Sequence, residues 1–328
     1  MKREDVAGVA VLAAVIVALV LVRDALSPRD VVRAFDLLLL IAMASAWNLV
    51  GGFAGLFSVG HAMFVGAGAY ATGMLIVRAD LPLAVTLPLA GLIAGAIALV
   101  VPLPLMRLRA AYFSVASLGL ALAAQAWMLN WEWTGASTGL NLPLSAYVDP
   151  IDQYLLAVGL AALTVSVVTV VVHTGLGLRT MALRDDELAA AEVGIRRTPI
   201  TLTVWTISGV LTGLAGALIA IQKASLEPVS AFSITFVLDM IVASVIGGIG
   251  TIVGPILGAI VIYVVRQFLQ DAQSWSSVIN GILIIVVIRF APRGLWGVTR
   301  DLVRTGRLRL RPPVSDPIVT PATERSAA

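Results

Sequence analysis

Long runs of apolar residues, separated by short polar or glycine-containing segments, make up most of this chain. A helix needs about 20 apolar residues to cross the hydrocarbon core of a bilayer, so each run predicts a transmembrane helix. The predicted spans are residues 6–22, 32–50, 57–77, 83–106, 112–129, 154–173, 200–221, 232–246, 251–269 and 275–288. The pattern therefore predicts an all-α polytopic membrane protein with about 10 transmembrane helices.

The predicted spans form one transmembrane domain over residues 1–300. The first span resembles a signal peptide, but no small-residue cleavage site follows it, and we expect it to be retained. Residues 301–328 are basic and contain prolines, and we expect them to form a disordered cytoplasmic tail. The eighth predicted span is short enough to be a broken or re-entrant segment.

Two longer polar segments interrupt the apolar pattern. Residues 130–153 contain Trp131, Trp133 and several acidic groups, whereas residues 176–199 are rich in both arginine and carboxylates. In the second segment, residues 185–193 predict a short helix that begins with acidic residues and ends at Gly194 in a left-handed conformation. Such a helix is suited to docking a soluble partner; the alternative is a solvated loop that only joins two spans.

The arginines predict the orientation of the chain. With ten spans both termini lie on one side, and most arginines fall on that side, including those of residues 176–199 and of the tail. The positive-inside rule therefore predicts that the termini and the charged segment are cytoplasmic, and that residues 130–153 face outward.

Composition excludes several classes of function. Hydrophobic residues make up 59% of the chain and charged residues 12%, about half the charge of a typical globular protein. There is no cysteine, which excludes thiol catalysis and cysteine-bound metals. No nucleophile and base set, metal-ligand spacing or GxxxxGK[ST] motif is present, so we expect neither an enzyme nor a cofactor, and ATP dependence would require another polypeptide. The dispersed basic residues also argue against nucleic-acid binding.

A few polar residues lie within the apolar runs. Asp239 falls inside the eighth span, where an ionised carboxylate usually faces a cavity or a partner. It stands nearly alone, which argues against an ion-coupled carrier. His61 lies in a glycine-rich setting and is either a packing histidine or part of a polar path. Glycines repeat every four residues at 91 and 95, at 209 and 213, and at 250, 254 and 258, a spacing typical of close helix packing.

Several motifs resemble those of one transporter family. They are NLVGGFAGLFSVGHAMFVGAGAY at 48–70, RLRAAYFSVASLGLA at 107–121, TGASTGL at 134–140, GGIGTIVGPILGA at 247–259 and PRGLWG at 292–297. Together with the charged segment they resemble permease subunits of branched-chain amino-acid ABC importers, the LivM/LivH type, and lean towards LivM. The similarity covers about residues 30–300, in order.

The resemblance implies a membrane subunit that pairs with a second, LivH-type permease. Two cytoplasmic ATP-binding subunits dock beneath the pair. An extracytoplasmic solute-binding protein delivers the solute to the permeases at the outer face of the cytoplasmic (inner) cell membrane. The charged segment is then the ATPase-coupling loop, with contacts expected from Arg184, Asp185, Asp186, Glu187, Leu188, Glu192, Val193 and Gly194. We expect the translocation path to involve Asn48, Ser58, His61, Ser117 and Asp239.

Three positions depart from the family pattern. Leu56 stands where glutamine is common, Ala136 replaces a glycine, and Asp239 replaces an uncharged residue. The solute is therefore left open between branched-chain amino acids and urea, short amides or aromatic acids. The alternative from another class is an autonomous channel or an ion-coupled carrier.

Overall fold

The computed structural model describes residues 17–21, 23, 27–108, 110–268 and 295–297 of the chain. Helices α1 to α6 span Pro28–Asn48, Ala62–Ala79, Leu83–Val100, Ala110–Asn130, Pro150–His173 and Gly175–Asp185. Helices α7 to α11 span Glu187–Glu192, Arg197–Lys223, Pro228–Ala231, Ile234–Gly247 and Gly254–Phe268. A π-helical turn, Leu49–Phe53, continues α1, and 3-10 turns cover Leu103–Arg107, Glu132–Thr134, Ala136–Thr138 and Leu144–Ala146. The strands β1 and β2 are Leu140–Asn141 and Ser225–Leu226.

The predicted class is confirmed: within the described ranges, 7 helices are long and apolar enough to cross a membrane. A shorter apolar helix, Gly254–Gln267, follows them. Residues 17–21 of the first predicted span are helical, whereas the tenth predicted span and the tail lie outside the described residues. The total of ten spans therefore stays a prediction.

Helix boundaries differ from the predicted ones where the chain turns sharply. The third predicted span begins only at Ala62, because residues 54–61 form an irregular turn. The fourth ends at Val100, and Pro102 opens a 3-10 turn there. Proline lacks the N–H that would continue a helix. The eighth predicted span is one continuous helix, α10, from Ile234 to Gly247. The short helix α9 ends before it at Ala231, and the Ser233 hydroxyl caps α10.

Helix α1 is the most buried span of the described bundle, and α4 is the most exposed. α1 packs against α5, α8, α10 and α11, and α8 packs on its other side against α2 and α3. Small residues make the second set of contacts possible. A Cβ atom on Gly95 would lie 2.5 Å from Val210 Cγ2, and one on Gly91 would lie 2.7 Å from Leu214 Cδ2. These glycines therefore serve intramolecular packing.

The crossing of α2 and α8 is closer still. A Cβ atom on Gly68 would overlap the carbonyl oxygen of Gly213, and one on Gly216 would overlap the carbonyl oxygen of Val65. The two backbones are therefore in direct contact at this crossing. Only glycine allows such an approach, because any side chain would occupy the space of the opposite peptide group.

Residues 130–153 are attached to the ends of α2 and α8. Strand β1 pairs antiparallel with β2, directly after α8, and Leu142 N donates to Ala224 O at 2.8 Å. The Tyr70 hydroxyl donates to Leu226 O at 3.2 Å, and an Arg78 Nη2 donates to Trp133 O at 3.2 Å. This segment is thus an ordered cap over one end of the bundle.

Candidate functional site

The charged segment contains two helices where one was predicted. α6 ends at Asp185, and α7 begins at Glu187. Between them Asp186 is extended, with φ −157° and ψ 109°, and its carboxylate accepts hydrogen bonds from Leu188 N and Ala189 N. The predicted helix start at Asp185 is therefore wrong, because Asp186 caps the second helix from outside it. The predicted stop is confirmed, since Gly194 has φ +83°.

Exposed apolar residues lie on α7 and directly after it. Leu188 is 79% exposed and Val193 is 76% exposed, although both belong to a structured segment. The helix is held in place by Glu187, whose carboxylate accepts from Arg197 at 3.1 Å. The same Arg197 donates to Leu108 O at 3.0 Å. α7 is thus fixed against the start of α8, while Leu188 on the helix and Val193 directly after it remain exposed.

Beneath this segment, five residues form a hydrogen-bonded cluster that we call the polar joint: Asn48, Gly52, Arg184, Gly250 and Thr251. The Asn48 amide donates to Thr251 O at 2.8 Å and accepts from Gly250 N at 2.8 Å. Arg184 Nη1 donates to Gly52 O at 3.2 Å. Asn48 is completely buried. The polar joint therefore connects the charged segment, the π-helical turn and the turn between α10 and α11.

The predicted path residues Ser58, His61 and Ser117 lie together in a second buried cluster. His61 Nδ1 and Nε2 are each 2.9 Å from a serine hydroxyl, those of Ser58 and Ser208. Ser117 Oγ accepts from Val59 N at 3.1 Å. Like Asn48, these side chains have internal partners and are almost entirely buried, so they reach no open path in this conformation.

Asp239 does not stand alone, contrary to the expectation from the sequence. It forms an ion pair with Arg266, which lies in the last turn of α11. The Asp36 carboxylate accepts from the Gln222 amide at 3.0 Å, and the charges of Arg266 and Lys223 both act on it. Residues of both signs from α1, α8, α10 and α11 thus form a charge cluster near one end of these helices. The separation of these residues in the sequence concealed it.

We expect the two partners of this ion pair to differ in their effect on stability. The Asp239 side chain is 15% exposed and that of Arg266 is 41% exposed, so Arg266→Met leaves the more buried charge without its partner. This substitution should lower the free energy of unfolding by about 2 kcal/mol, a value between those for exposed and for buried ion pairs. The unfolding midpoint in detergent should fall more for Arg266→Met than for Asp239→Asn, and the double variant should recover most of the loss. Equal effects of the two single variants would contradict this assignment.

A cleft of about 840 Å³ lies between α2, α3 and α4. Its lining is almost entirely apolar, with Met63, Ile97 and Trp127 among its residues, and Arg78 and Trp131 also contribute. No carboxylate lines it. The cleft is therefore poorly suited to bind the ammonium group of an amino acid.

Comparison with known proteins identifies the family. The protein-family model described as the branched-chain amino acid transport system permease component matches residues 31–288, which is most of the chain. The chain belongs to this permease family. The permease is 29% identical over 294 residues to the high-affinity branched-chain amino acid transport system permease protein LivM of Salmonella typhimurium. That alignment covers 80% of this permease and 69% of the relative, and LivM of Escherichia coli K12 matches equally.

Other relatives of the permease have different solutes in their names. The ribose import permease protein RbsC of Bacillus subtilis is 29% identical over 149 residues, 41% of this chain and 46% of that protein. The autoinducer 2 import system permease protein LsrC of Yersinia pseudotuberculosis is 25% identical over 236 residues, 68% and 66% of the two chains. No solved structure matches. The predictions of family and of a transport permease rather than an enzyme are confirmed.

Proposed function

We propose that this permease is the membrane subunit of an ATP-driven importer that carries branched-chain amino acids into the cell. The observation that carries the proposal is α7, an ordered helix in the longest charged connection of the described bundle. One exposed apolar residue, Leu188, lies on it and another, Val193, lies directly after it. The sequence has no nucleotide-binding motif of its own, so energy must enter through a partner. A rigid helix with an apolar face is suited to fit a groove on that partner.

The proposed assembly contains a second permease of the LivH type, two cytoplasmic ATPases and an extracytoplasmic solute-binding protein. Leu188 and Val193 would contact the ATPase, with Asp185, Glu187 and Glu192 orienting the helix through charge. The ordered cap at residues 130–153 would receive the binding protein. The distribution of arginines supports a cytoplasmic-membrane location with both termini inside.

An amino-acid solute is supported by two observations. The LivM relatives match 80% of the chain, whereas the ribose permease of Bacillus subtilis matches 41%. The charge cluster around Asp36, Asp239 and Arg266 also provides both signs of charge, as a zwitterion requires. We propose that Asp239 faces the path or a subunit interface, because a lipid-facing charge inside the hydrocarbon core costs up to about 2.5–3.5 kcal/mol.

The proposal is tested by reconstituting the complex encoded by this gene and its neighbours in proteoliposomes. With ATP inside and the binding protein outside, we expect uptake of radiolabelled leucine, isoleucine and valine. Excess leucine should compete, whereas urea, acetamide and ribose should not. Replacing the P-loop lysine of the partner ATPases is the matched control and should abolish uptake.

Two outcomes would contradict the proposal. Uptake driven by an ion gradient without ATP would indicate a carrier, and competition by urea or ribose but not by leucine would indicate another solute. The binding protein alone, tested with the same panel, should show the same order of preference.

A further inference from the structure

We propose that Arg184 is the positioning residue that transmits movement of the coupling segment to two helix breaks inside the bundle. The inference rests on the proposed function, and it assigns to Arg184 an inward role in addition to any contact with the ATPase. The two breaks are the π-helical turn at Leu49–Phe53, which ends α1, and the turn at residues 248–253 between α10 and α11.

The guanidinium of Arg184 occupies a site shaped by glycines. Its Nη1 donates to Gly52 O, and a Cβ atom on Gly250 would lie 3.2 Å from the same Nη1. A Cβ atom on Gly55 would lie 2.6 Å from Arg184 Cγ. Gly55 and Gly250 both have positive φ, at +68° and +72°, so any side chain at either position would be strained as well as crowded.

The hydrogen bond to Gly52 is electrostatically favourable. Gly52 lies in the last turn of the continuous helix formed by α1 and its π-helical extension. The final carbonyl groups of a helix have no intrahelical donor, and they form the negative end of its dipole. A guanidinium at this point therefore satisfies an acceptor and interacts with the dipole.

Asn48 extends the connection to the second break. Its amide holds both Gly250 and Thr251, and the Thr251 hydroxyl accepts from Gly254 N at 3.0 Å, at the start of α11. A displacement of Arg184 thus acts on the end of the most buried span and, through Asn48, on the start of α11. π-Helical turns occur often at functional sites because they adjust more easily than regular helix.

Asp185 keeps the guanidinium in position from the other side. Arg184 Nε donates to Asp185 Oδ1 at 2.9 Å and Nη2 lies 2.8 Å from the same oxygen. The Asp185 side chain is 67% exposed, so this ion pair contributes little to stability. The matched control is therefore Arg179→Met, which removes an exposed guanidinium from the same helix and leaves the bond to Gly52 in place.

The experiment compares Arg184→Met with Arg179→Met in the reconstituted complex. For each we would measure co-purification of the ATPase, ATP hydrolysis stimulated by the loaded binding protein, and leucine uptake. We expect Arg184→Met to retain docking and hydrolysis but to transport about tenfold less leucine per ATP, because a hydrogen bond from a charged donor is lost. Arg179→Met should keep the original ratio. Should Arg184→Met fail to fold, Arg184→Lys, which keeps the charge but loses the planar fork, should lower the ratio in the same direction.

A distance measurement separates transmission from simple stabilisation. The chain has no cysteine, so spin labels can be placed at Leu178→Cys, on the same helix as Arg184, and at Ile249→Cys, both exposed sites. In the otherwise unchanged protein the label distance should be the same with and without ATP, whereas Arg184→Met should make it depend on nucleotide. An unchanged transport ratio, or loss of ATPase docking alone, would overturn the proposal. Absence of ATP-driven uptake by the unsubstituted complex would instead contradict the proposed function.

Discussion

Replacing Gly68 with valine should prevent the permease from reaching its folded state. At this crossing the backbones of α2 and α8 touch, and a Cβ atom would overlap Gly213 O. The helices would have to separate along an interface that buries Phe64, Ala69 and Ala217. Overpacking of backbone against backbone cannot be relieved by a rotamer change, so we expect a loss above about 4 kcal/mol, in the exceptional range for a single substitution. Yield and monodispersity in detergent would measure it.

Gly119 provides the matched control in α4. It is also a glycine within a helix, but a Cβ atom there would have no heavy atom within 4 Å. Gly119→Ala should therefore fold normally and gain about 0.5–1 kcal/mol from lower backbone entropy in the unfolded chain. If Gly68→Val is as stable and monodisperse as Gly119→Ala, the close crossing of α2 and α8 is wrong.

The double substitution Leu188→Ser and Val193→Ser should leave the permease folded but detach the ATPase. Both side chains are exposed in the isolated chain, so their loss removes no internal packing. At a docked interface each would be buried, and burial of an aliphatic side chain contributes about 1.5–3 kcal/mol. We therefore expect the affinity for the ATPase to fall by about 100-fold or more, with parallel loss of ATP-driven uptake. Co-purification and proteoliposome uptake are the measurements.

Leu144 allows the comparison to be controlled for surface hydrophobicity. It is 94% exposed and belongs to the cap at residues 130–153. Leu144→Ser removes a similar apolar group from the opposite polar segment and should leave ATPase binding intact. Normal uptake after residues 187–193 are replaced by a Gly/Ser linker would show that α7 is not the coupling element.

The membrane-spanning helices could be predicted from the sequence because a bilayer imposes a minimum apolar length. Local chemistry similarly predicted the Gly194 stop, since few residues other than glycine tolerate its φ. The start of α7 was misplaced by two residues, because Asp185 and Asp186 are both acidic and either could cap. Only the geometry shows that Asp186 is the residue whose carboxylate accepts from the backbone.

The tertiary clusters could not be predicted because their members are far apart in the chain. Asn48 contacts Thr251 across 203 positions and Arg184 contacts Gly52 across 132. From the sequence, four polar residues were predicted to lie along the translocation path: Asn48, Ser58, His61 and Ser117. It could not show that their hydrogen-bonding capacity is met inside the chain. The partner of Asp239 was missed because Arg266 lies 27 positions further along the chain, in the last turn of the next helix.

α8 has a geometric property that bears on how the two faces of the membrane communicate. It is a continuous helix of 27 residues, a rod about 40 Å long. It begins at the Arg197 contact with Glu187 and ends at the β-ribbon of the cap. A rod pivoting at its close contact with α2 moves its two ends in opposite directions. In the proposed assembly, arrival of the loaded binding protein at the cap would then bias the ATPase at the other end by the same free energy with which ATP biases release of the binding protein.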